Sequence, residues 1–420
     1  MESIDNINDV ANIRKLATIA RVSEVSEIEG SMNLELLKIR GWHVVGKKGE
    51  FKPGSLCVYI EVDSVLPDGL PESLQLEWKS LQKSLSKAKT DDEKNVIKLK
   101  MAEISKLNTK PEFEFLRERK FRIKTREIFQ TLSQGICFPL SILPTELQWH
   151  INELEQSRLS PALGNIDTVE GIDVTDILGV TQYVAPEKTS LDGIELSDLA
   201  TVGILVSDEE RLENLVDKYD TLRKFRYVKS EKLEGSSIFC YLKNDEFGCG
   251  GRSINYKRPE GDEKVNSYWS TAIKMGIEDK MRKYAADNNI KNFAIQGELV
   301  GEGIQGNIYK LKDKTIRFYN AYDIDNSRYY EYLVFIDMIK EMGLETVPIL
   351  DMNFTLPENP DDLLIAADNG MTVFGNNPNQ IIEGHVYVAI GDVAKAKTLR
   401  STFNRLSFKA KSREYDKRKQ

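Results

Sequence analysis

From Leu16 to Val65 the chain runs in short apolar stretches, LATIARVSEV, LELLKIRGWHVV and SLCVYIEVDSVL, broken at Glu29-Gly30-Ser31 and Lys52-Pro53-Gly54. β-Branched and aliphatic residues between such breaks predict antiparallel strands. The pattern resumes at Phe121-Arg122-Ile123-Lys124-Thr125-Arg126 and Gly135-Ile136-Cys137-Phe138-Pro139-Leu140, so about five strands flank an interruption and would close into a small OB-like β-barrel. In the interruption, at about 71–108, the period changes. Leu74, Trp78, Leu81 and Leu85 share one helical face, and Thr90-Asp91-Asp92-Glu93 starts a second helix carrying Ile97, Met101 and Ile104. This reads as a helical hairpin inserted in the barrel, either a surface embellishment or a partner-binding arm.

In the resumed strand, Phe121 and Ile123 should point inward while Lys120, Arg122 and Lys124 line the opposite face. With Arg117, Arg119 and Arg126 nearby, that face is either a phosphate-tracking surface or an ordinary charged side of a sheet. Residues 141–200 mix acids with Ser160-Pro161 and Val184-Ala185-Pro186, and read as a linker with short helices. Glu209 to Lys224 predicts an amphipathic helix through Leu212, Leu215 and Leu222. From Phe225 to Lys411, strands at SSIFCYLKN, KNFAIQGELV, TIRFYNAYDI, GHVYVAIG and LSFKAKS alternate with helices at Trp269 to Asp287 and at YYEYLVFIDMIKEMG, the latter ended by Gly343. The expected fold class is α+β: an OB-like nucleic-acid-binding domain over 1–140, a linker over 141–200, and an antiparallel-sheet domain over 201–420.

Composition narrows the setting. With 420 residues, 40% of them hydrophobic, the chain can build two or three ordinary cores. The 4 cysteines lack CxxC spacing and only 3 histidines accompany them, which argues against structural zinc; Cys57 and Cys240 fall in apolar runs, as small buried hydrophobes do. The start, MESIDNINDVANIRK, has no apolar core of signal-peptide length, and no later run approaches about 20 apolar residues. No membrane contact is expected, and the cysteine usage fits a reducing cytoplasm. A net charge of −8 excludes blanket affinity for nucleic acid and leaves room for a local basic path.

One glycine motif is a decoy. Gly301-Glu302-Gly303-Ile304-Gln305-Gly306 fits GxGxxG after a strand. A dinucleotide site needs a helix there that crosses over to a parallel strand, whereas Asn307 to Tyr322 reads as further β-structure.

The chemistry gathers around Lys232, in Glu231-Lys232-Leu233-Glu234-Gly235. Gly250-Gly251-Arg252-Ser253, Gly297-Glu298-Leu299-Val300-Gly301, Ala321-Tyr322-Asp323-Ile324, Glu383-Gly384-His385-Val386 and Lys409-Ala410-Lys411 follow in order. Any one of these arises by chance. The ordered series resembles motifs I, Ia, III, IIIa, IV and V of the lysine-dependent nucleotidyltransferases, the superfamily of ATP-dependent DNA and RNA ligases and mRNA-capping enzymes. That resemblance implies an ATP-grasp-like ligase fold for the second domain and an attack by Lys232 on the α-phosphate of ATP, giving lysyl-AMP. Only roughly one free lysine in a thousand is neutral at pH 7. Cations converging on the site, a divalent metal with Lys409 and Lys411, would disfavour the ammonium, and a depression of about three pH units corresponds to roughly 4 kcal/mol.

The resemblance also implies the other roles. Arg252 would contact the phosphate of AMP or of the nucleic-acid 5′ end, Glu298 the ribose hydroxyl, and Tyr322, where most relatives have Phe, would stack on adenine. Glu383 would help bind Mg²⁺ or Mn²⁺, Lys409 and Lys411 would hold the α-phosphate, and Glu231 and Glu234 would neighbour the nucleotide or metal. The OB-like module precedes Lys232, and only nine residues, Ser412 to Gln420, follow the last lysine motif. Together with Trp42 to Phe51 and Phe121 to Lys124, this order resembles the Deinococcus-type RNA ligases. They seal 3′-OH/5′-phosphate nicks in RNA or RNA/DNA duplexes with RNA at the 3′-OH side, a reaction of RNA repair. A GTP-dependent capping guanylyltransferase, a DNA ligase of unusual domain order and an inactive nucleic-acid-binding relative are the alternatives.

Overall fold

The computed structural model describes residues 14–158, 169–183, 196–198, 202–204, 209–252, 254–259, 265–391 and 405–418. Ser160-Pro161, Val184-Ala185-Pro186 and Ser253 lie outside the described residues. The chain divides into two compact units, Met1–Pro186 and Glu187–Lys419.

The first unit carries β1 (Ala17–Glu27), β2 (Leu34–Ile39), β3 (Trp42–Lys47), β4 (Leu56–Ile60), β5 (Ser64–Val65), β6 (Arg126–Ile128), β7 (Thr131–Ser133), β8 (Ile136–Phe138) and β9 (Thr181–Gln182), with helices α1 (Glu72–Lys87), α2 (Asp91–Ser105), α3 (Thr145–Arg158) and α4 (Thr175–Leu178). Its main sheet has the order β3-β2-β1-β4-β8. β1 serves both halves: Ala17 to Arg21 pair with β4, and beyond an irregularity between Val22 and Glu24 the strand pairs with β2. Such a bulge bends a strand and adds twist. β3 then meets the chain ahead of β8, where the Gln134 N–H donates to the His43 carbonyl (2.7 Å) and the Val45 N–H to Ser133 Oγ (3.0 Å). The sheet is thereby nearly closed into a barrel around Leu37, Trp42, Val44 and Tyr59.

The helical hairpin forms where the periodicity places it. Thr90 and Glu93 make the reciprocal capping box, and Trp78 and Ile104 pack with Leu70. The basic stretch differs from expectation. Phe121 and Ile123 are buried as anticipated, but Pro111–Arg119 is a 3-10 helix and Lys120 and Phe121 take positive φ, so no continuous strand presents its cations. Arg117 is buried, paired with Glu114 (2.5 Å) and 4.4 Å from the Trp78 ring centroid. Arg122 is paired with Asp63 (3.0 Å) and lies over Tyr183. These two arginines are committed to the fold, and the exposed cations here are Arg119 and Lys120. The described part of 141–183 is likewise no linker. Ile151, Val169, Val174, Leu178 and Val180 complete the core beneath Ile19, Val58 and Ile60, and Thr175 Oγ1 accepts from the Leu16 and Ala17 N–H groups.

The second unit carries β10 (Leu196–Asp198), β11 (Glu210–Arg211), β12 (Arg226–Lys232), β13 (Ser236–Lys243), β14 (Glu246–Gly250), β15 (Ile254–Tyr256), β16 (Phe293–Val300), β17 (Thr315–Asp323), β18 (Arg328–Tyr329), β19 (Ile349–Phe354), β20 (Gly384–Ile390) and β21 (Ser407–Lys411), with helices α5 (Tyr219–Leu222), α6 (Ser267–Lys274), α7 (Ile277–Asn288), α8 (Tyr332–Glu341), α9 (Asp361–Asp368) and α10 (Arg413–Arg418). Two sheets, β10-β15-β14-β13-β16-β17-β18 and β11-β21-β20-β12-β19, share a core in which Val228 and Val388 meet Ile238, Ile295, Phe318, Trp269 and Phe335. Among the described residues, the strands of these two sheets pair antiparallel except β11 with β21.

Two expected helices change form. Trp269 to Asp287 is split by Gly276, which adopts a φ of +63° between α6 and α7. Glu209 to Lys224 begins with β11 and continues through 3-10 turns to the short α5. Leu212, Leu215 and Leu222 are still buried; the buried charges of Arg211 and Glu213 between them break the apolar stripe that a helix needs. After Gly301 the chain turns directly into β17 and no helix follows, as the decoy reading requires.

Candidate active site

Lys232 ends β12. Side chains alternate along a strand, so Lys232, Ser230 and Val228 share one face of the five-stranded sheet. Register carries that face across it: Lys232 pairs with Gly384 and Gly384 with Lys411, while Ser230 pairs with Val386 and Val386 with Lys409. Lys232, Lys409 and Lys411 therefore stand on one side. A Cβ on Gly384 would lie 2.4 Å from the Ala410 carbonyl oxygen, so the residue between Lys232 and Lys411 has to be glycine. Glu383, one position earlier, reaches both ammonium groups: Oε2 is 2.8 Å from Lys232 Nζ and Oε1 is 3.8 Å from Lys411 Nζ.

The seven-stranded sheet supplies the opposite wall. At Gly235 the turn after Lys232 crosses β16 so closely that a Cβ would fall 2.4 Å from the Leu299 carbonyl oxygen and 2.8 Å from Glu298 Cγ. The glycine thus brings Glu298 to the lysine. Burial pushes the Glu298 carboxyl up to about 8; Lys232 and Arg252 oppose the shift and Glu383 adds to it. Arg252 is exposed just past β14.

A raised carboxyl value has a defined sign in stability. Glu298 costs nothing below about pH 4.5, where it is neutral folded or unfolded, and a penalty accrues as pH rises from there to its folded value of about 8. Glu298→Gln, neutral throughout, should therefore gain on the parent between pH 5 and pH 8, by roughly 4–5 kcal/mol at the upper end. Urea melts at both pH values check this, and a gap independent of pH would refute it.

The flanking acids separate. The buried Glu234 donates its N–H to the Tyr309 hydroxyl (2.6 Å), and its carboxylate acts on the Tyr415 hydroxyl. Glu231 lies on the far face of β12. Its carboxylate accepts from Thr372 Oγ1 (2.6 Å) and the Val373 N–H (3.1 Å), and burial pushes its value up. The structure thus gives Glu231 the work of pinning the loop at 372–374, away from Lys232. Tyr322 is also set apart. Only 1% exposed, it packs edge-to-face on Tyr329 among Val202, Phe239 and Ala294, with no free ring face.

Reasoning from the sequence missed the groups behind Lys411. Asp416 Oδ1 is 2.5 Å from its Nζ, and Arg211 is 3.8 Å from the other Asp416 oxygen. Neither carries a periodic or motif signal: Asp416 sits in the terminal stretch beyond the last lysine motif, and Arg211 in a segment that reads as helix.

Residues 225–411 match the RNA ligase family, and residues 16–107 match an OB-fold domain. The second unit thus carries an RNA ligase domain. Among solved structures, this chain is similar to Naegleria gruberi RNA ligase. A variant of that enzyme with AMP and Mn is 28% identical, over 96% of this chain and 98% of that one, at a TM-score of 0.67. A variant with ATP and Mn and the enzyme with PPi give TM-scores of 0.66 and 0.65 at the same identity and coverage. No curated protein matches the chain. Among the described residues of the ligase, no helix is long and apolar enough to cross a membrane.

Among the described residues, no three His, Cys, Asp or Glu side chains form a ready metal cage. Glu383, whose carboxylate stands 2.8 Å from Lys232 Nζ, would be an oxygen ligand for a divalent cation that completes its shell with phosphate oxygens and water, as Mg²⁺ does.

Proposed function

We propose that this RNA ligase works through lysyl-AMP on Lys232 and seals 3′-OH/5′-phosphate nicks in RNA or RNA/DNA duplexes, with RNA on the 3′-OH side. The observation that carries the reading is the single sheet face bearing Lys232, Lys409 and Lys411, with Glu383 between two of them. In the first step Lys232 Nζ forms a bond to the α-phosphorus of ATP, the bond to pyrophosphate breaks with its electron pair leaving on pyrophosphate, and the nitrogen releases two of its three ammonium protons to solvent, keeping one in the phosphoramidate. Glu383 Oε2, 2.8 Å away, is placed to hold the ammonium before that step. Lys409, Lys411 and Arg252 supply positive charge to the phosphoryl oxygens, where electrostatic stabilisation of the transition state counts most. Glu298, largely neutral at pH 7, can donate a hydrogen bond to a ribose hydroxyl. A divalent cation, held by Glu383, would neutralise phosphate charge. AMP then passes to the 5′-phosphate, and attack by the 3′-OH releases it.

The nucleotidyltransfer half of this reading rests on the site. The duplex half rests on the OB-fold domain preceding the ligase domain and on the likeness to Naegleria gruberi RNA ligase over nearly the whole chain. The test is to incubate the full chain with α-labelled ATP or GTP and Mg²⁺ or Mn²⁺, then with nicked duplexes whose 3′-OH strand ends in RNA or DNA. Label from ATP alone, and sealing at least about tenfold faster at the RNA end, are expected. Labelling by GTP alone, or equal sealing of an all-DNA nick, would overturn the corresponding half.

A further inference from the structure

The last turn of described chain is fixed rather than trailing. α10 begins immediately after β21: the Asp416 N–H donates to the Ser412 carbonyl (3.1 Å) and the Tyr415 N–H to Ser412 Oγ (3.1 Å). Arg413 is paired with Asp368 of α9 at 2.5 Å. Held in this way, α10 sends two adjacent side chains to the site, Tyr415 to the Glu234 carboxylate and Asp416 to Lys411.

Asp416 is a junction. One carboxylate oxygen is 2.5 Å from Lys411 Nζ and the other is 3.8 Å from the Arg211 guanidinium, which itself faces Glu213 at 4.0 Å. Arg211 and Glu213 are only 3% and 1% exposed, and Asp416 and Lys411 only 10% and 13%. Charge alternates along Glu213, Arg211, Asp416, Lys411, Glu383 and Lys232. Pairs at this depth are weak evidence for stability, because desolvation offsets much of their attraction; their effect here is on which partner each charge keeps. Lys411 stands within reach of two carboxylates, Asp416 at 2.5 Å and Glu383 at 3.8 Å, and Glu383 is also the partner of Lys232 at 2.8 Å.

We propose that Asp416 is a positioning residue for nucleotidyl transfer. It keeps Lys411 off Glu383 and aimed at the site of the α-phosphate, so that Glu383 stays with Lys232, while Arg211, held between Glu213 and Asp416, fixes the Asp416 carboxylate. This rests on the lysyl-AMP reading of Lys232. Without Asp416, the Lys411 ammonium moves to the nearest remaining carboxylate, that of Glu383, and the two lysines compete for it. The loss then falls on an interaction made to charge developing in the transition state, and reaches the rate more than the binding of ATP.

The test compares the full-length parent with Asp416→Asn and Asp416→Glu. It measures the single-turnover rate of lysyl-AMP formation across ATP concentrations, with thermal melting to report the fold. Asp416→Asn should lower the rate at saturating ATP by about 10–100-fold and move the half-saturating concentration by less than about threefold. Asp416→Glu should recover to within about fivefold of the parent, which a purely architectural role for the side chain would not produce. A parental rate in Asp416→Asn, a loss confined to half-saturation, or no recovery in Asp416→Glu overturns the proposal. Should Asp416→Asn fail to fold, Asp416→Glu decides, since a wider half-saturating concentration at an unchanged maximal rate also overturns it. Absence of ATP label on the parent overturns the lysyl-AMP reading and this proposal with it; label on the parent with unaffected variants overturns this proposal alone.

Discussion

Lys232→Ala should abolish transfer of the α-phosphate of ATP to the protein, to below about one ten-thousandth of the parental rate, because no other side chain can take over as nucleophile. Lys411 is the nearest lysine in register, two strands away across Gly384, and is tied to Asp416 at 2.5 Å. Lys409 faces the same side but is 8% exposed, one further pair along the sheet. A denaturing gel after incubation with α-labelled ATP, or the intact mass, measures the loss directly. The same variant should still seal a strand that already carries a 5′-adenylate, within about tenfold of the parent, since the last displacement uses the nucleic acid's own 3′-OH and needs no lysine nucleophile. Label persisting on Lys232→Ala would remove Lys232 from its role. Loss of both reactions would mean that the substitution has damaged the phosphate site as a whole.

What could be read from the chain divides along a physical line. Lys232, Glu298, Glu383, Lys409 and Lys411 were legible through the ordered motif series, whose glycines and alternating strand positions translate directly into geometry. Gly235 and Gly384 are required by atoms 2.4 Å from where a Cβ would be. The period of the helical hairpin was legible for the same reason. Glu231 and Tyr322 show the limit. Adjacency to Lys232 in sequence means the opposite face in a strand, so Glu231 turns to Thr372. Tyr322 is placed by its hairpin partner Tyr329 together with Val202, Phe239 and Ala294 from remote segments, and no local pattern reports those. The short segment from Arg211 to Leu222 failed for a related reason. Its leucines are spaced like a helix, but buried ion pairs, invisible to periodicity, hold it as a strand and 3-10 turns. Arg117 and Arg122 likewise carry the composition of a phosphate surface while serving Glu114, Asp63 and two aromatic rings.

Glu383→Ala should lower lysyl-AMP formation by at least about a thousandfold while changing stability by no more than about 1–2 kcal/mol. The two halves of this expectation have different causes. Glu383 lies within 4.0 Å of both Lys232 and Lys411, at 2.8 and 3.8 Å. Its removal takes away the group that orients the nucleophile and a candidate oxygen ligand for a cation. It also lightens the negative field on Glu298, while burial, the larger cause, still holds that carboxyl up. The fold loses less. Lys411 keeps Asp416, and the Lys232 side chain is 27% exposed, so water can solvate the ammonium left behind. Glu383→Gln, which keeps the shape and loses the charge, should be impaired within about tenfold of the alanine variant if charge is what acts. Near-parental labelling in Glu383→Gln would mean that the side chain acts by volume and hydrogen bonding, and the cation would then have to be held elsewhere.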